Sequence, residues 1–190
     1  MPKSRKTALF AFCIFSAVLG LSQSTEWKEY VYAEEGFAIS APLKPWIRPH
    51  YLDGGKGEGI VGHSYLFPLT KQEEDGSAYR FLLEVSYARD NDKRTPEQVL
   101  NDAKNLYASY FGTSFKLASP ATVIDEKPIS IGKYPGIEFE MQHDNIRCLG
   151  RFYVVDRKRY SLTVGRQTHS PFPEEMQRWY NSFHLIEAQK

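Results

Sequence analysis

The chain has 190 residues, of which 24 are basic and 23 acidic, and it contains two cysteines. Its length fits one domain with a real core once an expected leader is removed. The near balance of charge leaves no basic excess to attract a phosphate backbone, which sets nucleic acid aside as a partner. A disulfide framework is excluded too, because Cys13 falls in the leader and Cys148 is then alone.

The leader is read from the first residues. Lys3, Arg5 and Lys6 form a basic start, and the run Thr7 to Leu21 carries no charge. Ser22 and Ser24 then occupy the −3 and −1 positions of a cut before Thr25, with a cut after Gly20 as the second choice. An uncharged run of 15 residues falls short of the ~20 needed to cross a bilayer. The expected organisation is therefore a signal peptide over 1–24 and a single α+β domain over 25–190, exported to the periplasm or secreted. A retained N-terminal membrane anchor is the alternative. Cleavage removes three basic residues and no acid, leaving 21 against 23 and a net charge of −2. No second long apolar segment follows, so no integral membrane span is expected in the mature chain.

Glu29 to Ala33 and Phe37 to Ala41 read as strands around the turn-like Glu34-Glu35-Gly36. Trp46 to Leu52 and Ile60 to Pro68 are further strand candidates. Tyr79 to Tyr87 is clearer, since Tyr79, Phe81, Leu83, Val85 and Tyr87 alternate with more polar neighbours. Thr95, Pro96 and Gln98 then form the start of a helix, with a Thr-x-x-Gln capping box and proline at the first helical position. Val99, Ala103, Leu106, Tyr107 and Tyr110 mark its apolar face, and Gly112 is expected to stop it.

The second half predicts a meander. Pairing Gly136–Gln142 with Arg147–Val155 sets Ile137 opposite Phe152, Phe139 opposite Gly150 and Met141 opposite Cys148. It also sets Glu138 beside Arg151 on the other face. Continuing through a three-residue turn Asp156-Arg157-Lys158 sets Val154 opposite Tyr160 and Phe152 opposite Leu162. Pro173 is expected as the first residue of a closing helix with Met176, Trp179, Tyr180 and Phe183 as its stripe, followed by an extended Leu185-Ile186. Strands, helix, strands, helix is the order of an α+β fold: an antiparallel β-sheet of about six or seven strands with two main helices packed against it. Strands and helices do not alternate, which argues against a doubly wound nucleotide-binding sheet.

The opening Tyr30-x-Tyr32-x-x-x-Gly36-Phe37-x-Ile39-x-x-Pro42 resembles that of PsbP-like and DcrB-like domains. Tyr134 to Phe139, Tyr160 to Val164 and Asn181 to Leu185 are similar to small exported bacterial members of the same broad group. The resemblance implies a central antiparallel sheet flanked by helices and a role of the accessory kind. It carries over no catalytic residue.

Gly57-Glu58-Gly59-Ile60-Val61-Gly62 matches G-x-G-x-x-G, but a strand-like segment follows where a dinucleotide site needs a helix. Gly57, Gly59, Gly62 and His63 are kept as candidates for a binding loop at a hairpin. Gly62-His63-Ser64-Tyr65-Leu66 approaches a nucleophile elbow yet lacks the final glycine and the helix. The five histidines show no spacing that pairs two on one face, so no metal site is assigned. His143-Asp144 and the basic Arg157-Lys158-Arg159 are expected as solvated turns. Asp90-Asn91-Asp92 opens like a calcium loop but has Thr95 where glycine is needed. Cys148 is expected to be buried packing, and Glu138, Glu140, Arg147 and Arg151 to be cross-strand ion pairs.

No cofactor is implied, and no catalytic residue is assigned. The reading is an exported non-catalytic accessory or binding protein of the cell envelope or extracellular space, its partner an envelope protein or a small ligand. A small secreted hydrolase with a site assembled from loop residues, near His63, is one alternative. A small-ligand or metal carrier is another.

Overall fold

The computed structural model describes residues 26–51, 59–68, 80–89, 91–114, 120–167 and 172–186. The expected leader, Gly57 and Asp90 of the Asp90-Asn91-Asp92 segment lie outside them. Strands β1 (Lys28–Tyr32) and β2 (Phe37–Ala41) form the first hairpin. Its turn needs Gly36 at φ +82°, a conformation that costs other residues dearly, with the Gly36 N–H donating to the Tyr32 carbonyl at 2.9 Å. A short C-terminal strand, β10 (His184–Leu185), adds to β2, giving a three-stranded sheet in the order β1-β2-β10.

The other strands make an antiparallel seven-stranded sheet. They are β3 (Trp46–Tyr51), β4 (Ile60–Phe67), β5 (Arg80–Tyr87), β6 (Thr122–Ile131), β7 (Tyr134–His143), β8 (Ile146–Val155) and β9 (Lys158–Gln167). Their spatial order is β3-β4-β5-β9-β8-β7-β6, so β3 and β6 are its two edges. With helices α1 (Pro96–Ser114) and α2 (Glu174–Ser182), this is the expected α+β architecture. The first hairpin and the last strand form a second sheet of their own.

Helix α1 starts as its sequence dictates. Thr95 Oγ1 accepts from the Gln98 N–H at 3.3 Å, and Gln98 Oε1 accepts from the Thr95 N–H at 2.9 Å, closing a reciprocal box. The helix runs through Gly112 to Ser114 rather than stopping there. One glycine costs a helix only about 1 kcal/mol, which the surrounding turns absorb. Pro173 sits one residue before α2, with extended backbone at φ −65° and ψ 147°, not inside its first turn.

The register of β7 on β8 is as expected: Ile137 faces Phe152, Phe139 faces Gly150, Met141 faces Cys148 and Glu138 faces Arg151. The β8–β9 hairpin differs by one residue. Its turn has two residues, Asp156 (φ +52°) and Arg157, so Tyr153 faces Tyr160 and Phe152 faces Ser161. Phe152 and Leu162 therefore lie on opposite faces of the sheet. Both faces of this centre are apolar, since Phe152, Tyr153, Val154 and Val155 are all buried. The hydrophobic pattern thus gives no penalty for the slip.

Two layers cover the seven-stranded sheet. On one face α1 packs over β7 and β8, with Leu100, Ala103 and Ala108 against Phe139, Met141, Cys148 and Phe152. On the other face lie α2 and the small sheet. Trp179, fully buried, meets Phe81 edge-on at 5.1 Å and Phe67 at 5.8 Å. Tyr180 donates to the Leu149 carbonyl at 2.6 Å, and Ser182 Oγ accepts from the Ser40 N–H at 3.0 Å, tying α2 to both sheets.

Candidate functional site

Strand β4 carries polar chemistry on both faces, because successive side chains of a strand point to opposite sides. His63 points toward the small sheet. Ser64 points to the face that α1 occupies further along. The adjacent pair that suggests a nucleophile elbow in the sequence is thereby split between two separate networks.

The first network centres on Glu35 in the β1–β2 turn. Its carboxylate is 7% exposed and accepts from His63 Nδ1 at 2.6 Å, Tyr87 Oη at 2.5 Å and Tyr65 Oη at 3.4 Å. Its backbone carbonyl accepts from Tyr160 Oη at 2.6 Å and Lys158 Nζ at 2.8 Å. A carboxylate only accepts, so the proton of neutral His63 sits on Nδ1. Burial, then the Glu35 charge, pushes the Tyr65 phenol well above its ordinary range; for Tyr87 the causes are burial and the hydrogen bond to Glu35. This network clamps the small sheet onto β4, β5 and β9. It accounts for Lys158, which reaches back to the Glu34 and Glu35 carbonyls instead of lying in a solvated tip.

The second network lies on the other face, at β3, β4 and β5. His50 Nε2 is 2.5 Å from Ser64 Oγ, and Ser64 Oγ is 3.2 Å from Glu84 Oε1. The Ser64 hydroxyl thus lies between an imidazole nitrogen and a carboxylate, and the tautomer of His50 sets which of the two takes its proton. Glu84 lies 4.0 Å from His50 Nε2, beside the serine and not behind the ring at Nδ1. In a serine–histidine–acid triad the histidine accepts from the serine and the acid orients the far ring nitrogen. Here the carboxylate sits beside the serine instead.

The surroundings of this network are open. Residues 46, 48 and 50 of β3 share its face, since Arg48 pairs with Ser64 and Trp46 with Leu66. Trp46 is 62% exposed, Arg48 is exposed, and the His50 side chain is 40% exposed. Leu66, Leu82 and Glu84 continue the surface half-buried. Ser161 stands directly opposite Glu84 on β9, and its buried hydroxyl has no hydrogen-bond partner among the described residues. Arg159 Nε is in the same condition; burial lowers the pKa of that guanidinium, and nearby Glu84 opposes the shift.

Among the candidates named from sequence, Gly59 (φ +73°) immediately precedes β4, and Gly62 and His63 lie within it. A Cβ at Gly62 would fall 2.1 Å from the Val85 carbonyl oxygen, so this glycine is explained by the close approach of β5. His63 belongs to the Glu35 network. His143 is buried at the end of β7, not solvated in a turn, and Arg159 is half-buried within β9. Cys148 is fully buried, and burial pushes its thiol up to about 12. Glu138 pairs with Arg151 and Lys127, each at 2.6 Å, and Glu140 with Arg147. Asp92 pairs with Arg94 at 2.6 Å, which removes it from any calcium loop. Among the described residues no group of three metal-ligating side chains converges. Nor is any described helix long and apolar enough to cross a membrane.

His50, Ser64 and Glu84 are absent from the sequence-based site because they come from three strands, at separations of 14 and 20 residues. A usable signal was present: each is the polar member of a row whose companions on that face include Trp46, Leu66 and Leu82.

No family model and no curated protein matches the chain. Among solved structures, it is similar to cyanobacterial PsbP (CyanoP) from Synechocystis sp. PCC 6803, solved in solution. The identity is 10% and the TM-score 0.58, over 88% of this chain and 96% of that one. The chain therefore has a PsbP-like α+β fold.

Proposed function

We propose that the protein is an exported, non-catalytic accessory or binding protein of the cell envelope or extracellular space, which engages its partner through the open surface of β3, β4 and β5. The observation that carries this reading is the His50–Ser64–Glu84 network. It is preformed and solvent-accessible, and its carboxylate lies beside the serine instead of behind the imidazole. The fold supports the accessory reading as an analogy only. Export rests on the basic start, the short uncharged run and the serines before Thr25.

The test is co-purification of the exported protein from its native envelope or medium, with identification of whatever accompanies it. The wild type should bring down one defined protein or ligand. Variant His50→Ala/Glu84→Ala should lose it, and Ile124→Ala, on the far edge strand, should keep it. Recovery of the wild type as a lone unliganded chain, or equal recovery of the partner with both variants, would overturn the reading. An N-terminus at Thr25 in that material would support cleavage, and an intact Met1 would contradict it.

A further inference from the structure

The open surface also points to the chemistry of what it binds, an inference that rests on the reading just given. We infer that β3, β4 and β5 present a binding platform for a neutral saccharide. Trp46 stacks on the apolar face of a sugar ring, and Arg48, His50, Ser64 and Glu84 hydrogen-bond its hydroxyls.

Three observations on one face carry this. Trp46 is a large aromatic left 62% exposed on an edge strand, with a broad apolar ring available for stacking. Four residues along the same strand is His50, about 13 Å away at the rise of a strand, room for more than one sugar ring. Between and beside them stand a guanidinium, an imidazole, a hydroxyl and a carboxylate, with Arg48 directly opposite Ser64 and Ser64 opposite Glu84.

That mixture selects the ligand. A sugar hydroxyl both donates and accepts, so it needs neighbours of both kinds held at fixed positions. Glu84 is an acceptor, Arg48 a donor, and His50 and Ser64 supply either role. An anion such as phosphate would meet the Glu84 carboxylate, whose charge opposes it. A purely apolar ligand would strand the His50–Ser64–Glu84 network away from water. Ser161 adds a reserve: it faces Glu84 across the strands with its hydroxyl unpartnered. When a sugar hydroxyl takes over Ser64, Ser161 is placed to hold the carboxylate instead.

Titration of the exported protein with short neutral oligosaccharides of glucose, mannose and N-acetylglucosamine tests this, with inorganic phosphate and acetate as parallel probes. Binding of at least one saccharide is expected, with Trp46→Ala weakening it about tenfold and Trp46→Phe retaining it. Glu84→Gln should weaken it while leaving the thermal unfolding midpoint in place. Binding of phosphate or acetate but no saccharide would overturn the proposal, as would saccharide binding indifferent to Trp46→Ala. A protein partner recovered through His50 and Glu84, with no saccharide bound, would overturn the saccharide and leave the accessory reading standing. Loss of both would remove the two together.

Discussion

The two halves of one face of the large sheet make opposite use of the same backbone. Over β7 and β8 the face is apolar and roofed by α1, with Phe139 and Phe152 in edge contact at 4.8 Å and Tyr107 against Phe152 at 5.8 Å. Over β3, β4 and β5 the equivalent positions hold Arg48, His50, Ser64 and Glu84, away from the strands β7 and β8 on which α1 chiefly packs. The roofed half stabilises by excluding water and the open half keeps its polar groups wet. Mutations in the two halves should therefore separate stability from recognition.

The largest stability losses belong under the roof. Phe152→Ala should cost about 3–5 kcal/mol through lost burial and the cavity left behind. Gly150→Ala sharpens the same point, since a new Cβ would lie 2.3 Å from Phe139 Cζ. Overpacking of that kind costs about 1–3 kcal/mol. Denaturant midpoints at constant m-value measure both, and indifference to either change would show that the roofed half is loosely packed.

Beneath the open half, Glu35→Ala leaves His63 and Tyr87 without their acceptor, and should cost about 2–4 kcal/mol at the rate for buried unsatisfied groups. The same node sets an alkaline limit. Burial is the largest cause for each phenol of the node and raises Tyr65, Tyr87 and Tyr160 well above their ordinary range. Unfolded phenols ionise near ~10, so the stabilisation is complete below about pH 10 and is lost as pH rises through the folded values. A urea midpoint flat up to about pH 10 and falling beyond it is expected; a midpoint still flat at higher pH would contradict the clamp.

The smallest stability effect is expected in the open half. Ser64→Ala removes hydrogen bonds from a half-exposed site and should cost about 1 kcal/mol or less. Between these extremes, Cys148 should resist a thiol reagent in the native chain and react on unfolding, because its thiol is buried and held protonated. Rapid native labelling would place an opening in the roof above it.

These contrasts also explain what could be read from sequence. The capping box of α1 and the register of β7 on β8 depend on local spacing and on one apolar face, and both were legible. The β8–β9 register was not, because Phe152 and Tyr153 are both buried and either phase looks apolar. Strand β6 carries no such signal: Thr122 to Ile131 is mostly exposed, contains Pro128 and has the polar character of an edge that avoids further pairing. The two polar networks were invisible for a different reason. Glu35 meets residues 28 to 125 positions away, and no local pattern encodes that closure. His63 and Ser64 look like partners in the sequence, yet the period of a strand separates them onto opposite faces.

The most direct test of the open half as the recognition surface is site-specific photocrosslinking in the cells that make the protein. A crosslinker at Arg48 should give an adduct of one defined added mass, and one at Ile124, on the opposite edge strand, should not. Adducts of equal yield at both positions, or none at Arg48, would contradict the assignment of this face.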